Sequence, residues 1–214
     1  MTVRILIADD HGMVAEGLRY VIEAQPDMHV VAIAGNGREA VQCAIRERPD
    51  VIVMDYAMPE LNGLEAIRMI HEANSQIGIV MLSMYSNPVY VVRTLQAGAA
   101  GYIVKKSAAS EVIEAIREIN AGRRYLSKEF TDGSIDGFIE QATIDDPLTR
   151  LSTRERQVLQ LLAEGRSNAE IASTLKLSLK SVETYRTRTE QKLGVRDLAS
   201  MVRFAIQLGV ISID

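Results

Sequence analysis

The sequence predicts an α/β class protein: a doubly wound, five-stranded parallel sheet followed by a small all-α domain. Three observations carry that expectation. Short apolar runs alternate with amphipathic helical patterns through residues 1–121. A polar, acidic stretch without a clean period follows, residues 122–149. From residue 150 to 214 every periodic segment is helical. Apolar runs that do not alternate with polar residues belong to strands covered on both faces, as in parallel sheets.

The elements follow in order. Strands are expected at VRILIAD (3–9), HVVAIA (29–34), DVIVMD (50–55), IGIVMLS (77–83) and GYIVK (101–105). Helical patterns fall between and after them, near 12–24, 37–48, 63–73, 87–97 and 107–121. Pro49, Pro59, Pro88, Gly35, Gly37 and Gly63 stand at the boundaries, where breakers belong. Five strand–helix units of this kind make a doubly wound domain. Residues 122–149 read as a linker, with a short helix around Ile135–Gln141. In the tail, Ser152-Thr-Arg-Glu155 and Ser167-Asn-Ala-Glu170 both fit the S-x-x-E capping box ahead of an apolar stripe. Gly165 and Gly194 stand where helices end on glycine. Third and fourth tail helices fit 179–193 and about 196–208, and no internal repeat is visible.

Composition narrows the class. The 214 residues suffice for one large or two ordinary domains. A single cysteine, Cys43, rules out an internal disulfide framework and fits a reducing, cytoplasmic setting. No apolar run approaches the ~20 residues of a membrane span. The N-terminal MTVRILIADD reads as a first strand, without a signal-peptide pattern. Net charge is −4, divided unevenly: −5 in residues 1–121, −3 in 122–149 and +4 in 150–214. An acidic front and a basic tail point to different partners, with nucleic acid a candidate for the tail, and they would permit the front to dock over the tail.

Ligands in open parallel sheets bind outside the carboxyl ends of the strands. There the sequence puts Asp9 and Asp10 after the first strand, Asp55 after the third, Ser83 after the fourth and Lys105 after the fifth. Each alone has an ordinary explanation: a helix cap for Asp10, a turn former for Asp55 before Met58-Pro59, a solvated strand end for Lys105. Together they are a constellation. Three carboxylates repel unless a hard cation such as Mg²⁺ joins them. A lysine and a hydroxyl opposite suit a transferred phosphoryl group, and an aspartate can itself attack phosphorus.

With those residues in view, 3–121 resembles the receiver domain of bacterial two-component response regulators, a flavodoxin-like fold. The resemblance rests on Asp9-Asp10, on Asp55-Tyr-Ala-Met-Pro-Glu-Leu-Asn-Gly63, and on Ser83, Tyr102 and Lys105 in AGAAGYIVKK. It implies that Asp55 is the phosphoacceptor. Asp9, Asp10, Asp55 and the Ala57 carbonyl would hold Mg²⁺, Lys105 would pair with phosphoryl oxygens, Ser83 would hydrogen-bond the phosphoryl group, and Tyr102 would change rotamer. One departure is that Lys106, not proline, follows the lysine.

The tail holds a second constellation. Helices joined by short turns, the third of them polar, have the helix-turn-helix layout. At 100° per residue, Val182, Thr189 and Leu193 line the inner face of 179–193, with Tyr185 on its flank. Lys180, Glu183, Thr184, Thr187, Arg188 and Gln191 form the outer face, chemistry that suits a major groove. Arg186, nearer the flank, would reach phosphate. The stretch resembles the LuxR-type helix-turn-helix through Leu151-Ser-Thr-Arg-Glu-Arg-Gln-Val-Leu, Ser167-Asn-Ala-Glu-Ile-Ala and Ser181-Val-Glu-Thr-Tyr-Arg ending Lys192-Leu-Gly, with Tyr185 where histidine is common.

Domain order then resembles the NarL/FixJ family of response regulators: receiver 1–121, linker 122–149, DNA-binding domain 150–214. That resemblance implies double-stranded DNA and a sensor histidine kinase as partners, RNA polymerase as a further one, and a homodimer when phosphorylated. The apolar residues on more than one face of the last helix, Leu198 to Ile206, are available for pairing. Two other classes fit part of this pattern. A haloacid-dehalogenase-type phosphatase would want a second acid two residues after Asp55, where Ala57 stands. A receiver that is never phosphorylated and serves only as a docking scaffold would not need the full acidic set.

Overall fold

The structure is a computed structural model that describes residues 2–106, 109–130 and 146–211. It divides into two compact units, a front unit and a C-terminal unit gathering the residues described from Asp146 onward.

The front unit alternates β1 (Val3–Ala8), α1 (Gly12–Glu23), β2 (Met28–Ala34), α2 (Gly37–Glu47), β3 (Val51–Asp55), α3 (Gly63–Ala73), β4 (Gly78–Ser83), α4 (Pro88–Gln96), β5 (Gly101–Val104) and α5 (Ala109–Asn120). All strand pairs are parallel, in the order β2-β1-β3-β4-β5 and then β6 (Tyr125–Leu126). The sixth strand is short, Tyr125–Leu126, and a 3₁₀ turn at Lys128–Phe130 follows it. Both lie in the stretch read from sequence as linker. Two residues are too few to show a period, and it is the main-chain bond from the Tyr125 amide to the Ala100 carbonyl, at 3.1 Å, that recruits them. The helix expected around Ile135–Gln141 lies outside the described residues.

Alternation of side chains splits the sheet into two buried faces. Ile5, Ile7, Val51, Val53, Val80, Leu82 and Ile103 form one core with Ala15 and Ile22 of α1 and Val112, Ile113, Ile116 and Ile119 of α5. The alternate residues Leu6, Ile52, Met54, Ile79 and Met81 are equally buried, and the helices α2, α3 and α4 pack on that side. This is why the strands are apolar at every position. Chain order reverses between β1 and β3, so a crevice opens at their carboxyl ends.

Among the described residues the C-terminal unit has four α-helices, α6 (Thr153–Ala163), α7 (Asn168–Leu175), α8 (Leu179–Leu193) and α9 (Leu198–Gln207), preceded by a 3₁₀ turn at Pro147–Arg150. Both expected capping boxes form, Ser152 with Glu155 and Ser167 with Glu170. Gly194 ends α8 at φ +68°, a backbone region that glycine enters without steric cost. Lys176 makes the same left-handed turn after α7 without being glycine, at φ 54°. The core joins Val158, Leu159, Leu162, Ile171, Leu175, Val182, Met201 and Ala205.

Candidate functional site

At the carboxyl edge of the front sheet, β1, β3, β4 and β5 deliver their end residues together. Asp9 is held by its amide on the Ala34 carbonyl of β2, at 3.0 Å. Its side chain accepts from the His11 amide at 2.9 Å, which makes His11 rather than Asp10 the residue that opens α1. Asp10 is left at the exposed rim, with the His11 Nδ1 3.0 Å from its carboxylate. Asp55 closes β3 and is 4% exposed. Its main chain is clamped by the next residue: the Tyr56 amide donates to the Leu82 carbonyl at 3.0 Å, and the Tyr56 carbonyl accepts from the Gly63 amide at 2.9 Å. Gly63 is required by that approach, because a Cβ there would stand 2.0 Å from the Asp55 carbonyl oxygen.

Lys105, one residue past β5, completes the pocket. Its amide donates to the Ser83 carbonyl at 2.7 Å, and its Nζ lies 3.0 Å from Asp9 and 3.0 Å from Asp55. Burial pushes the Asp55 carboxyl up to about 6; Lys105 pulls the other way, and the charges of Asp9 and Asp10 add to the rise. For Lys105, burial opposes the ammonium, but Asp55 and Asp9 outweigh it and hold its pKa above the lysine range. The two directions are compatible, since one cation is shared by two carboxylates while each carboxylate faces the other.

Asp9, Asp10, His11 and Asp55 each bring a donor atom within 4.8 Å of the others. Three carboxylates, two of them buried and one of those two, Asp55, resisting ionisation, are a donor set that a hard divalent cation fits. Ala57 is half-buried in the loop two residues beyond Asp55. Ser83 is fully buried, and its Oγ accepts from the Tyr85 amide at 3.1 Å. Tyr102 is also fully buried; its hydroxyl donates to the Tyr85 carbonyl at 2.7 Å, and burial raises its phenol above the usual range. The sequence-derived front residues therefore meet at one edge. What sequence reasoning missed is Tyr85, to which both Ser83 and Tyr102 are bonded.

In the C-terminal unit, α8 follows α7 after a three-residue turn. Val182 and Thr189 are buried, and Thr189 ties its hydroxyl to the Tyr185 carbonyl at 2.9 Å. Tyr185 and Leu193 pack on the core as partly buried neighbours. Lys180, Glu183, Thr184, Thr187, Arg188 and Gln191 are all exposed along one side. Thr184 donates its hydroxyl to the Lys180 carbonyl at 2.8 Å. Arg186 is half-buried and paired with Glu190 at 2.9 Å. A feature unseen in the sequence anchors the helix: Lys192 bonds Glu155, 37 residues away, at 2.7 Å. Glu155 is buried and also serves the α6 capping box. Burial disfavours its carboxylate, but Lys192 and the Ser152 amide outweigh that and keep its pKa below the ordinary range.

A parallel α/β unit with an acidic strand-end pocket, joined to a helix-turn-helix unit, defines a two-component transcription regulator. The comparisons agree. Residues 5–117 match the response regulator receiver domain, and residues 149–205 match the bacterial regulatory proteins of the luxR family. The transcriptional regulatory protein MctR of Rhizobium johnstonii is 35% identical over 210 residues, covering 98% of this chain and 96% of its own. The oxygen regulatory protein NreC of Staphylococcus epidermidis is 36% identical over 211 residues, covering 95% and 97%. Among solved structures, RcsB from Salmonella enterica serovar Typhimurium, bound to promoter rprA in the presence of phosphomimetic BeF3-, superposes with a TM-score of 0.62 at 25% identity, covering 95% and 98%. The chain belongs to the response regulators of the NarL/FixJ family, a receiver domain followed by a LuxR-type DNA-binding domain. Among the described residues no helix is long and apolar enough to cross a membrane.

Proposed function

We propose that a sensor histidine kinase donates a phosphoryl group to Asp55, and that this modification controls how α8 engages double-stranded DNA. The observation that carries the reading is Lys105 Nζ at 3.0 Å from both Asp9 and Asp55, beside a carboxyl pushed up to about 6. A cation already placed there can pair with phosphoryl oxygens as negative charge arrives. An Asp55 oxygen attacks phosphorus, the bond from phosphorus to the donor breaks, and an acyl phosphate remains. Asp9, Asp10, Asp55 and the Ala57 carbonyl would hold Mg²⁺, which when bound offsets the charge of the carboxylates and the phosphoryl oxygens. Ser83 turns to hydrogen-bond the phosphoryl group, and Tyr102 changes rotamer with it.

The response is a shift between two arrangements, biased by the new anion. Lys180, Glu183, Thr184, Thr187, Arg188 and Gln191 read or flank bases in the major groove, while Arg186 exchanges Glu190 for a backbone phosphate. The exposed Leu198 and the half-buried Val202 and Ile206 of α9 support pairing with a second copy, so that two helices read two half-sites. RNA polymerase is then the natural partner at a promoter, and the cytoplasm the place of action. Domain limits of 1–121, 122–149 and 150–214 go with this reading. The chain acts as a regulator without turnover: Ala57 offers no acid for a leaving group.

The test is intact-mass analysis with a small-molecule phosphodonor and Mg²⁺, followed by DNA footprinting. Wild type should gain about 80 Da and change its footprint; Asp55→Asn should do neither. Absence of the mass gain in wild type would overturn the reading.

A further inference from the structure

The first residue of α8, Leu179, is apolar and 54% exposed. Among the described residues of the C-terminal unit, the other large hydrophobic side chain left exposed is Leu198 of α9. The start of α8 is secured by its neighbours. Ser178 caps the helix, accepting from the Ser181 amide at 3.1 Å. Leu177, before the cap, and Val182, at the fourth helical position, both join the C-terminal core, the placement of a hydrophobic staple. Cap and staple leave position 179 free to be polar, yet leucine stands there. Its place on the helix is set by the period. Leu179, Glu183, Thr187 and Gln191 are four residues apart, so they form one ridge along α8, and all four are exposed. Leu179 begins that ridge, one turn before Glu183. Lys176 and Lys180, to either side of it in the chain, are exposed as well.

We propose that Leu179 is a specificity-determining residue that reads thymine, by packing on the C5-methyl group of one base in the major groove. The inference rests on the reading that α8 engages double-stranded DNA. A recognition helix presents its N-terminal residues to base edges. The major groove shows hydrogen-bond donors or acceptors at every base pair and a single kind of alkyl group, the thymine methyl. Against a donor or acceptor, a leucine side chain would displace water and give no bond in return. Against the methyl, both partners lose apolar surface to water, which favours the contact. Lys176 and Lys180 are placed to meet phosphates and hold the leucine against the groove. Leu179 thus adds an apolar reader to a ridge whose other members, Glu183, Thr187 and Gln191, carry hydrogen-bonding groups.

The experiment is a double-mutant cycle between side chain and base, run on the full chain. A preferred duplex is selected from random sequences with wild type treated with a small-molecule phosphodonor. Each thymine of that duplex is then replaced in turn by deoxyuridine, which lacks only the methyl group. Affinities at fixed salt are compared for wild type, Leu179→Ala and Leu179→Met, with thermal unfolding recorded for each. At one thymine in each half-site, the replacement should weaken wild-type binding by roughly threefold to fivefold, the effect of one methyl-sized group. Leu179→Ala should bind the thymine and uracil duplexes alike at that position and follow wild type at every other. Leu179→Met remains apolar and should keep the preference. Position 179 is exposed, so the variants should unfold with wild type; Leu179→Gln serves if Leu179→Ala does not fold. A wild type indifferent to every replacement overturns the assignment, as does an alanine variant that keeps the thymine preference. Equal weakening on thymine and uracil duplexes, the mark of a lost protein contact, overturns it too. Failure of wild type to select any sequence overturns the engagement of DNA by α8 and the role of Leu179 together.

Discussion

Replacing Asp55 with asparagine removes a buried charge and keeps the side-chain shape. The direction of the outcome follows from the pocket. The Asp55 carboxyl moves from 3.8 to about 6 on folding, with burial the largest cause. A raised carboxyl favours folding while it is neutral in both states, below the unfolded value. As pH rises from 3.8 the unfolded chain ionises first, and stability falls until about 6, where the loss levels off. The displacement amounts to about 3 kcal/mol at neutral pH, at ~1.4 kcal/mol for each tenfold in the ionisation constant. Asp55→Asn should therefore stabilise the metal-free front unit by up to about 3 kcal/mol at pH 7 and by roughly half of that at pH 5. For a domain of this size the midpoint should rise by on the order of 10 °C. Urea titrations in chelator, followed by tyrosine fluorescence, measure it: the chain has no tryptophan, and six of its seven tyrosines lie before residue 131. A variant less stable than wild type, or a difference that does not shrink between pH 7 and pH 5, would refute the reasoning.

Other outcomes follow from single contacts. Gly63→Ala should cost about 2–3 kcal/mol in a urea titration, since its Cβ would stand 2.0 Å from the Asp55 carbonyl oxygen. Glu155→Ala should lower C-terminal unit stability by about 1–2 kcal/mol, through loss of the α6 cap and the bond to Lys192. Because the Glu155 pKa is held low, wild type should keep that contribution above pH 4.5 and lose it as pH falls through the folded value; the variant should show no such loss in an acid titration. Arg188→Ala, if that side chain meets a phosphate, should reduce the slope of log affinity against log salt by about 1. Glu183→Ala, read by selection from random duplexes, should relax preference at one base pair rather than weaken all sequences alike.

The strand-end polar residues were legible because apolar runs stop at Asp9, Asp55, Ser83 and Lys105, and the strand-end rule gives those positions one meaning. The outer face of α8 was legible because helical period sorts Val182 and Thr189 inward and Lys180 and Arg188 outward. Other features left no local trace. Tyr56, Tyr85 and Tyr90 share no period, and their rings meet only because α4 starts beside the ends of β3 and β4. Glu155 read as a cap, and nothing in its neighbourhood announced Lys192. Arg186 looked like an available cation, and its bond to Glu190 emerged only with the helix built.

Local chemistry in the chain was enough to determine which residues end strands, which open helices and which face outward, since alternation and capping act over a few neighbouring positions. Distances between those residues belong to the tertiary structure. Lys105 sits midway between Asp9 and Asp55 because β5 reaches β1 through the registers of β3 and β4, and pairing of non-adjacent strands is settled by the packing of the whole sheet rather than by any one segment.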